Sequence, residues 1–172
     1  MRISDYPEDT TRKLARGEID LLVCLDRQEI YPRFLTVSKR PEPLAFVTHP
    51  ANPLLCKDKL KLEDILTEQF ILSDREIGYC AQLEKELHKR GMELKSVMEI
   101  GSVGAIINIL LKGYGTALVP RFMVEAYLER GELKELPISD INIELYSCYL
   151  CNSQRWMSPA MSEFIRLVDE NV

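Results

Sequence analysis

The stretch EIGSVGAIINILLKGYGTALVP, Glu99 to Pro120, restricts the fold more than any other part of the chain. Gly101 and Ser102 close an apolar run, and Ser102 is placed to accept a hydrogen bond from the free amides of a helix opening after it. Ala105 to Leu111 is apolar everywhere except Asn108, so this helix is predicted to be buried nearly all round. Gly113 stops it and Gly115 allows a sharp turn. Thr116 to Val119 then reads as a short buried strand ending at Pro120, which has no amide to give a ladder. Loop, helix, turn and strand in that order make one half of an α/β layer. The mouth of the helix is also the chief candidate site, because unpaired amides and the positive end of the dipole suit a carboxylate or another anion. The plainer alternative is that Ser102 caps its own helix and binds nothing.

The rest of the chain repeats the same grammar. Arg2 to Tyr6 alternates like a strand fragment, Pro7 introduces a helix over Glu8 to Arg16, and Glu18 to Leu25 is a continuous apolar run after Asp20. A strand, a helix and a second buried strand predict a parallel sheet. Asp26 to Arg40 is polar and irregular, Leu44 to Thr48 is a strand, and HPANPL is a turn. Leu60 to Leu66 reads as a short helix and Phe70 to Leu72 as a short buried strand, followed by the loop SDREIG. Tyr79 to Arg90 is a helix with Tyr79, Cys80, Leu83 and Leu87 on its apolar side and Glu86 spaced to pair with Arg90. Val97 to Ile100, Leu133 to Pro137 and Ile143 to Cys151 are strand-like, and Phe122 to Glu129 is a helix. Ser158 and Pro159 form an N-cap and first turn for a last helix whose apolar face is Met161, Phe164, Ile165 and Val168. Gly17, Gly91, Gly113 and Gly131 stand just past four of these helices, as C-terminal caps do.

Composition narrows the function by exclusion. A net charge of -5 without a basic stripe argues against direct grip on nucleic acid. No apolar run is long enough for a bilayer span, and MRISDYPEDT lacks the apolar core of a signal peptide, so a cytoplasmic protein without membrane contact is expected. The five cysteines, Cys24, Cys56, Cys80, Cys148 and Cys151, form no disulfide framework. Cys148 and Cys151 make a CxxC inside a strand-like run, which favours core thiols over a redox or zinc site. His49 and His88 stand alone, so no metal, cofactor or catalytic dyad is expected.

Taken together, LARGEIDLLV, the turn HPANPL, LEDIL with FIL after it, EIGSVGAIINILLKGYGTALVP, RGELKELP and SPAMSEFIRLV resemble the effector-binding domain of LysR-type transcriptional regulators. The landmarks stand in the family's order and at its spacing across nearly the whole chain. The resemblance implies an α/β fold of the type 2 periplasmic-binding-protein kind, with two Rossmann-like lobes joined by two crossover strands and a small molecule held in the cleft. By that likeness residues 1–47 and 138–172 form lobe I, residues 48–137 form lobe II, and Leu44 to Val47 and Leu133 to Pro137 are the crossovers.

Four strand-end loops carry over to the cleft by position. They supply Cys24, Leu25 and Asp26; Ser73 through Tyr79, including Ile77 and Gly78; Gly101, Ser102 and Val103; and Pro120. Family members often place hydroxyls at the first two loops, where this chain has Leu25 and Gly78, which weakens the case for an inorganic or strongly anionic effector. Ser73, Tyr79, Ser102 and backbone amides remain as candidates, with Arg75 a possible source of charge. Tyr79 reads equally well as the first core residue of its helix, and Arg75 as a solvated loop residue.

The resemblance further implies self-association, through Arg2 to Tyr6 and the helix Tyr79 to Arg90, as a homodimer or higher oligomer. DNA would be reached only through a helix-turn-helix domain, which, with the first strand and helix of lobe I, has no counterpart in these residues. The expectation is therefore an incomplete first lobe and a truncated regulator whose metabolite shifts paired subunits. An enzyme on the same fold is the first rival, but Asp26, Asp74, Glu76 and Cys24 lack a His, a Lys or a second carboxylate at recognisable spacing. A transporter's solute-binding protein is the second, disfavoured by the missing export signal.

Overall fold

Helix and strand alternate from Gln69 to Glu135, and strands follow one another before and after that stretch, in the computed structural model, which describes residues 7–26, 34–57, 59–73, 78–94 and 96–170. In order these are α1 (Pro7–Arg16), β1 (Leu21–Asp26), β2 (Phe34–Pro41), β3 (Leu44–Thr48), β4 (Gln69–Leu72), α2 (Gly78–Lys89), β5 (Ser96–Glu99), α3 (Val103–Leu110), β6 (Thr116–Pro120), α4 (Glu125–Glu129), β7 (Lys134–Glu135), β8 (Tyr146–Asn152) and α5 (Pro159–Glu170). Short 3₁₀ helices occupy Pro53–Cys56, Leu62–Thr67 and Arg121–Met123. The chain divides into two units, Met1–Pro41 with Tyr146–Val172, and Glu42–Leu145.

In the first unit, α1 ends where Gly17 and Glu18 donate their amides back to Leu14 and Lys13, a Schellman closure. Its sheet has the order β1-β8-β2, and both pairings are antiparallel. The described pairings of this sheet are antiparallel because β1 takes the distant β8 as a partner; the parallel pairing expected between Arg2 to Tyr6 and the β1 run involves residues outside the described ones. The strand fragment expected over Arg2 to Tyr6 lies outside the described residues. The irregular stretch expected up to Arg40 instead contains β2, an edge strand among the described residues, with an irregularity between Thr36 and Ser38. Leu14, Cys148 and Leu150 form the buried centre, with Ile19, Leu22, Cys24, Phe34 and Tyr146 around them. On the other face α5 is tied to β2 through Asp169, which accepts from Ser38 at 2.7 Å and Arg40 at 2.8 Å. Ser158 caps α5 by accepting from the Met161 amide at 3.2 Å, as its N-cap position predicted.

The second unit has a five-stranded sheet in the order β5-β4-β6-β3-β7. β5, β4 and β6 run parallel, and β3 is antiparallel to both β6 and β7. Ile106, Ile107 and Leu110 of α3 pack with Ala45, Val47, Ile71, Ala117 and Val119 in one core. Each large apolar side chain so buried contributes about 1.5–3 kcal/mol. Gly104 and Asn108 face solvent, so α3 is buried on one side and not all round. The helix expected over Leu60 to Leu66 is the 3₁₀ helix Leu62–Thr67, and that over Phe122 to Glu129 is broken at Val124. Glu86 pairs with Lys89, whereas Arg90 pairs with Asp140, so the predicted Glu86–Arg90 pair does not form.

The unit boundaries fall outside the expected ones, at 41/42 and 145/146 instead of 47/48 and 137/138. β3 pairs with β6 along its whole length, from Leu44 opposite Pro120 to Thr48 opposite Thr116. On the return, Asp140 accepts from the Leu62 amide at 2.8 Å and the Leu145 carbonyl accepts from the Glu42 amide at 2.8 Å. These bonds hold residues 138–145 to the second unit.

Candidate functional site

Parallel strands bring the candidate loops of the second unit to one sheet edge. Leu72 of β4 lies opposite Glu99 of β5, and the Ile100 amide donates to the Leu72 carbonyl at 3.0 Å, extending the ladder one step past β5. β6 runs in the same direction, with Ala117 opposite Ile71, and reaches this edge at Pro120, which is buried. α2 and α3 both open here, at Gly78 and Val103. The carboxyl edge of such a sheet is where unpaired backbone groups and helix N-termini converge on ligands.

At the mouth of α3 the expected cap is absent. Ser102 has an extended backbone, φ -130 and ψ 116, and its carbonyl accepts from the Ile106 amide at 3.1 Å, but its hydroxyl makes no capping bond. Gly101, Ser102 and Gly104 are exposed and Val103 is half-buried. The reading of Ser102 as a cap of its own helix is therefore corrected, and the first-turn amides of α3 face an open side.

At the mouth of α2 the polar groups are paired internally. Ser73 Oγ and the Tyr79 hydroxyl share a hydrogen bond of 2.8 Å, and Cys80 Sγ lies 3.1 Å from the same oxygen. Ser73, Tyr79 and Cys80 are all buried. Burial pushes the Tyr79 phenol up to about 12, although the bond from Ser73 works against that rise. Tyr79 is thus the first core residue of α2, and its hydroxyl and that of Ser73 are engaged with each other. Gly78 opens α2, while Asp74, Arg75, Glu76 and Ile77 lie outside the described residues.

Cys24, Leu25 and Asp26 are the last three residues of β1 in the first unit, opposite Cys148, Ser147 and Tyr146. Cys24 turns to the Leu14 side, where its thiol lies 3.8 Å from the Cys148 carbonyl. Leu25 is half-buried on the other face. Cys148 and Cys151 are buried and outside any disulfide, like Cys80, whereas Cys56 is exposed. No group of three or more His, Cys, Asp or Glu side chains that could hold a metal occurs among the described residues, and no described helix is long and apolar enough to cross a membrane. Sequence reasoning missed Gln82 and Asp140, whose partners lie more than fifty residues away or nearly so, a separation that leaves no local signal.

The family model described as the LysR substrate binding domain matches residues 3–172. An uncharacterized HTH-type transcriptional regulator of Methanocaldococcus jannaschii is 32% identical over 120 residues, covering 68% of this chain and 40% of the relative. Two solved structures share the fold. The effector binding domain of QuiR in complex with shikimate has a TM-score of 0.76 at 16% identity, covering 96% of this chain and 79% of that one. The regulatory domain of Synechocystis CcmR in complex with 2-PG has a TM-score of 0.76 at 19% identity, covering 96% and 80%. The chain spans about half the length of the curated relatives it matches.

Proposed function

The chain belongs to the LysR substrate binding domain family, and from that premise we propose that it binds a small-molecule effector and performs no reaction on it. The observation that carries the reading is the open mouth of α3, where exposed Ser102 leaves its helix uncapped at the carboxyl edge of a parallel sheet. An acidic or hydroxyl-bearing group of the effector would take up the amides of Val103 and Gly104 and the hydroxyl of Ser102, beside Gly101. Gly78 and Pro120 would line the same edge, and the paired Ser73 and Tyr79 would hold the α2 mouth in shape. In the first unit taken by itself, Cys24, Leu25 and Asp26 at the end of β1 would be the candidate effector contacts. By analogy with the relatives named as transcriptional regulators, binding would alter the placement of paired subunits and hence transcription, inside the cytoplasm. DNA would be contacted through a helix-turn-helix domain such as those relatives' names carry.

The test is a thermal-shift screen of shikimate, 2-PG, amino acids, aromatic acids and nucleobase-like compounds. A ligand at a hundredfold excess over its Kd stabilises the folded state by about 2.7 kcal/mol, a rise of about 5–10 °C for a chain of this size. The active compound should be recovered unchanged, and Ser102→Ala should cut the shift. A flat screen overturns effector binding, and product formation overturns the assignment as a sensor.

A further inference from the structure

The return segment of the second unit bridges Leu60 at Ile138, and beyond that bridge it is held by the side chains of Gln82 in α2 and of Arg90 just after it. Ile141 to Leu145 adopts no regular structure, yet the Glu144 backbone is bracketed by one side chain. Gln82 Nε2 donates to the Glu144 carbonyl at 2.7 Å, and the Glu144 amide donates to Gln82 Oε1 at 3.3 Å. An amide side chain here supplies the donor and acceptor that a neighbouring strand would supply. Eight residues further along, Arg90 donates to the Asp140 carboxylate at 2.8 Å and to its carbonyl, while that carboxylate also accepts from the Leu62 amide. Between these two attachments Leu83 and Leu87 bury the inner side of α2. Its first turn, one turn before Gln82, carries Tyr79 with its bond to Ser73. Immediately beyond the bracket, Leu145 accepts from Glu42 and the chain leaves the unit at Tyr146, the first residue of β8.

We propose that Gln82 is the positioning residue that couples the mouth of α2 to the return crossing: a change at the Ser73–Tyr79 end moves α2, and the Gln82 bracket passes that movement to Glu144 and so to the chain entering β8. The proposal rests on the reading of that mouth as part of the effector site and adds the route by which occupancy leaves it. A helix whose first turn lies at the proposed site, with a directional two-point grip one turn further along, gives coupling a contiguous physical route.

Amide-resolved hydrogen exchange on the full 172-residue chain tests it without any effector. Gln82→Ala should raise exchange at the Glu144 amide about tenfold or more, the loss of a partly shielded hydrogen bond, with β4 and α3 amides unchanged. Tyr79→Phe, which removes the bond to Ser73, should shift Glu144 exchange about threefold or more in the parent and leave it unmoved once Gln82→Ala is present. A residue that merely braced the segment would pass the first test and fail the second. The proposal is overturned if Glu144 exchange changes less than about twofold in Gln82→Ala, or if Tyr79→Phe has the same effect in both backgrounds. Because no ligand enters these measurements, failure of coupling and failure of effector binding are read separately.

Discussion

Tyr79 carries the strongest electrostatic consequence of any single side chain at the candidate site. Its phenol is buried and bonded to Ser73, and burial raises it from 10 to about 12. The unfolded chain releases this proton above pH 10, whereas the folded chain keeps it until about 12. The contribution to stability is therefore whole below pH 10 and disappears as pH rises through 12, amounting to about 2–3 kcal/mol. Tyr79→Phe is expected to cost about 1 kcal/mol at neutral pH, because Ser73 loses a partner. Its urea midpoint should then fall less than the parent's between about pH 9 and about pH 12, since the remaining tyrosines are common to both proteins. Parallel alkaline losses in the two proteins would place the raised group elsewhere. The residues at this site were unequally legible. Tyr79 reads from helical spacing as a core position, which it is, but its pairing with Ser73 depends on a turn that sequence spacing does not describe. Ser102 reads as a cap from residue type, yet its side chain does not turn back onto α3.

Turns decide how well the elements were read. Gly115, between α3 and β6, has φ +77, and a Cβ there would lie 2.4 Å from the Gln69 carbonyl oxygen; that backbone is rigid because β4 is paired on both sides. Thr48 adds a hydrogen bond to the Gly115 carbonyl at 2.9 Å. Gly91, after α2, has φ +67 but nothing within 4 Å of a Cβ. Gly91→Ala should therefore cost about 1–2 kcal/mol, from backbone conformation alone, and Gly115→Ala about 2–4 kcal/mol, from conformation and overlap together. Urea denaturation of both variants checks the order, and equal losses would remove the close approach from the account. Elements bounded by strong local signals were legible on this ground: α1 and α2 by their terminal glycines, α5 by Ser158 and Pro159, β3 by its apolar run. β2 was not, because an edge strand of Thr, Ser, Lys and Arg buries too little to alternate clearly, and its half-buried positions follow no simple period. The pairing of β1 with β8 was not legible for a related reason: an apolar run says that a strand is there and not which distant strand lies beside it, and β8 comes more than a hundred residues later.

At the scale of the molecule the two units differ in how much core they have among the described residues. The second gathers ten buried residues in one cluster, while the first centres on Leu14, Cys148 and Leu150. Val23 and Leu35, 51% and 50% exposed, look out from the same face of the first sheet, and Trp156 is 79% exposed. On the described residues the first unit buries the smaller core against the entropy of an ordered chain, and it is expected to open first. The cysteines can report this, since a buried thiol is protected until its unit opens. Cys56 is exposed, Cys148 and Cys151 are buried in the first unit, and Cys80 is buried in the second. With a thiol-directed reagent in rising urea, Cys56 should react at once, Cys148 and Cys151 should follow together, and Cys80 should come last, as read by mass of the labelled peptides. Burial also raises the Cys151 thiol, which slows its reaction further until the unit opens. Simultaneous labelling of Cys80, Cys148 and Cys151 would instead mean that the two units unfold as one cooperative body, so that the larger core sustains the smaller through the two chain crossings.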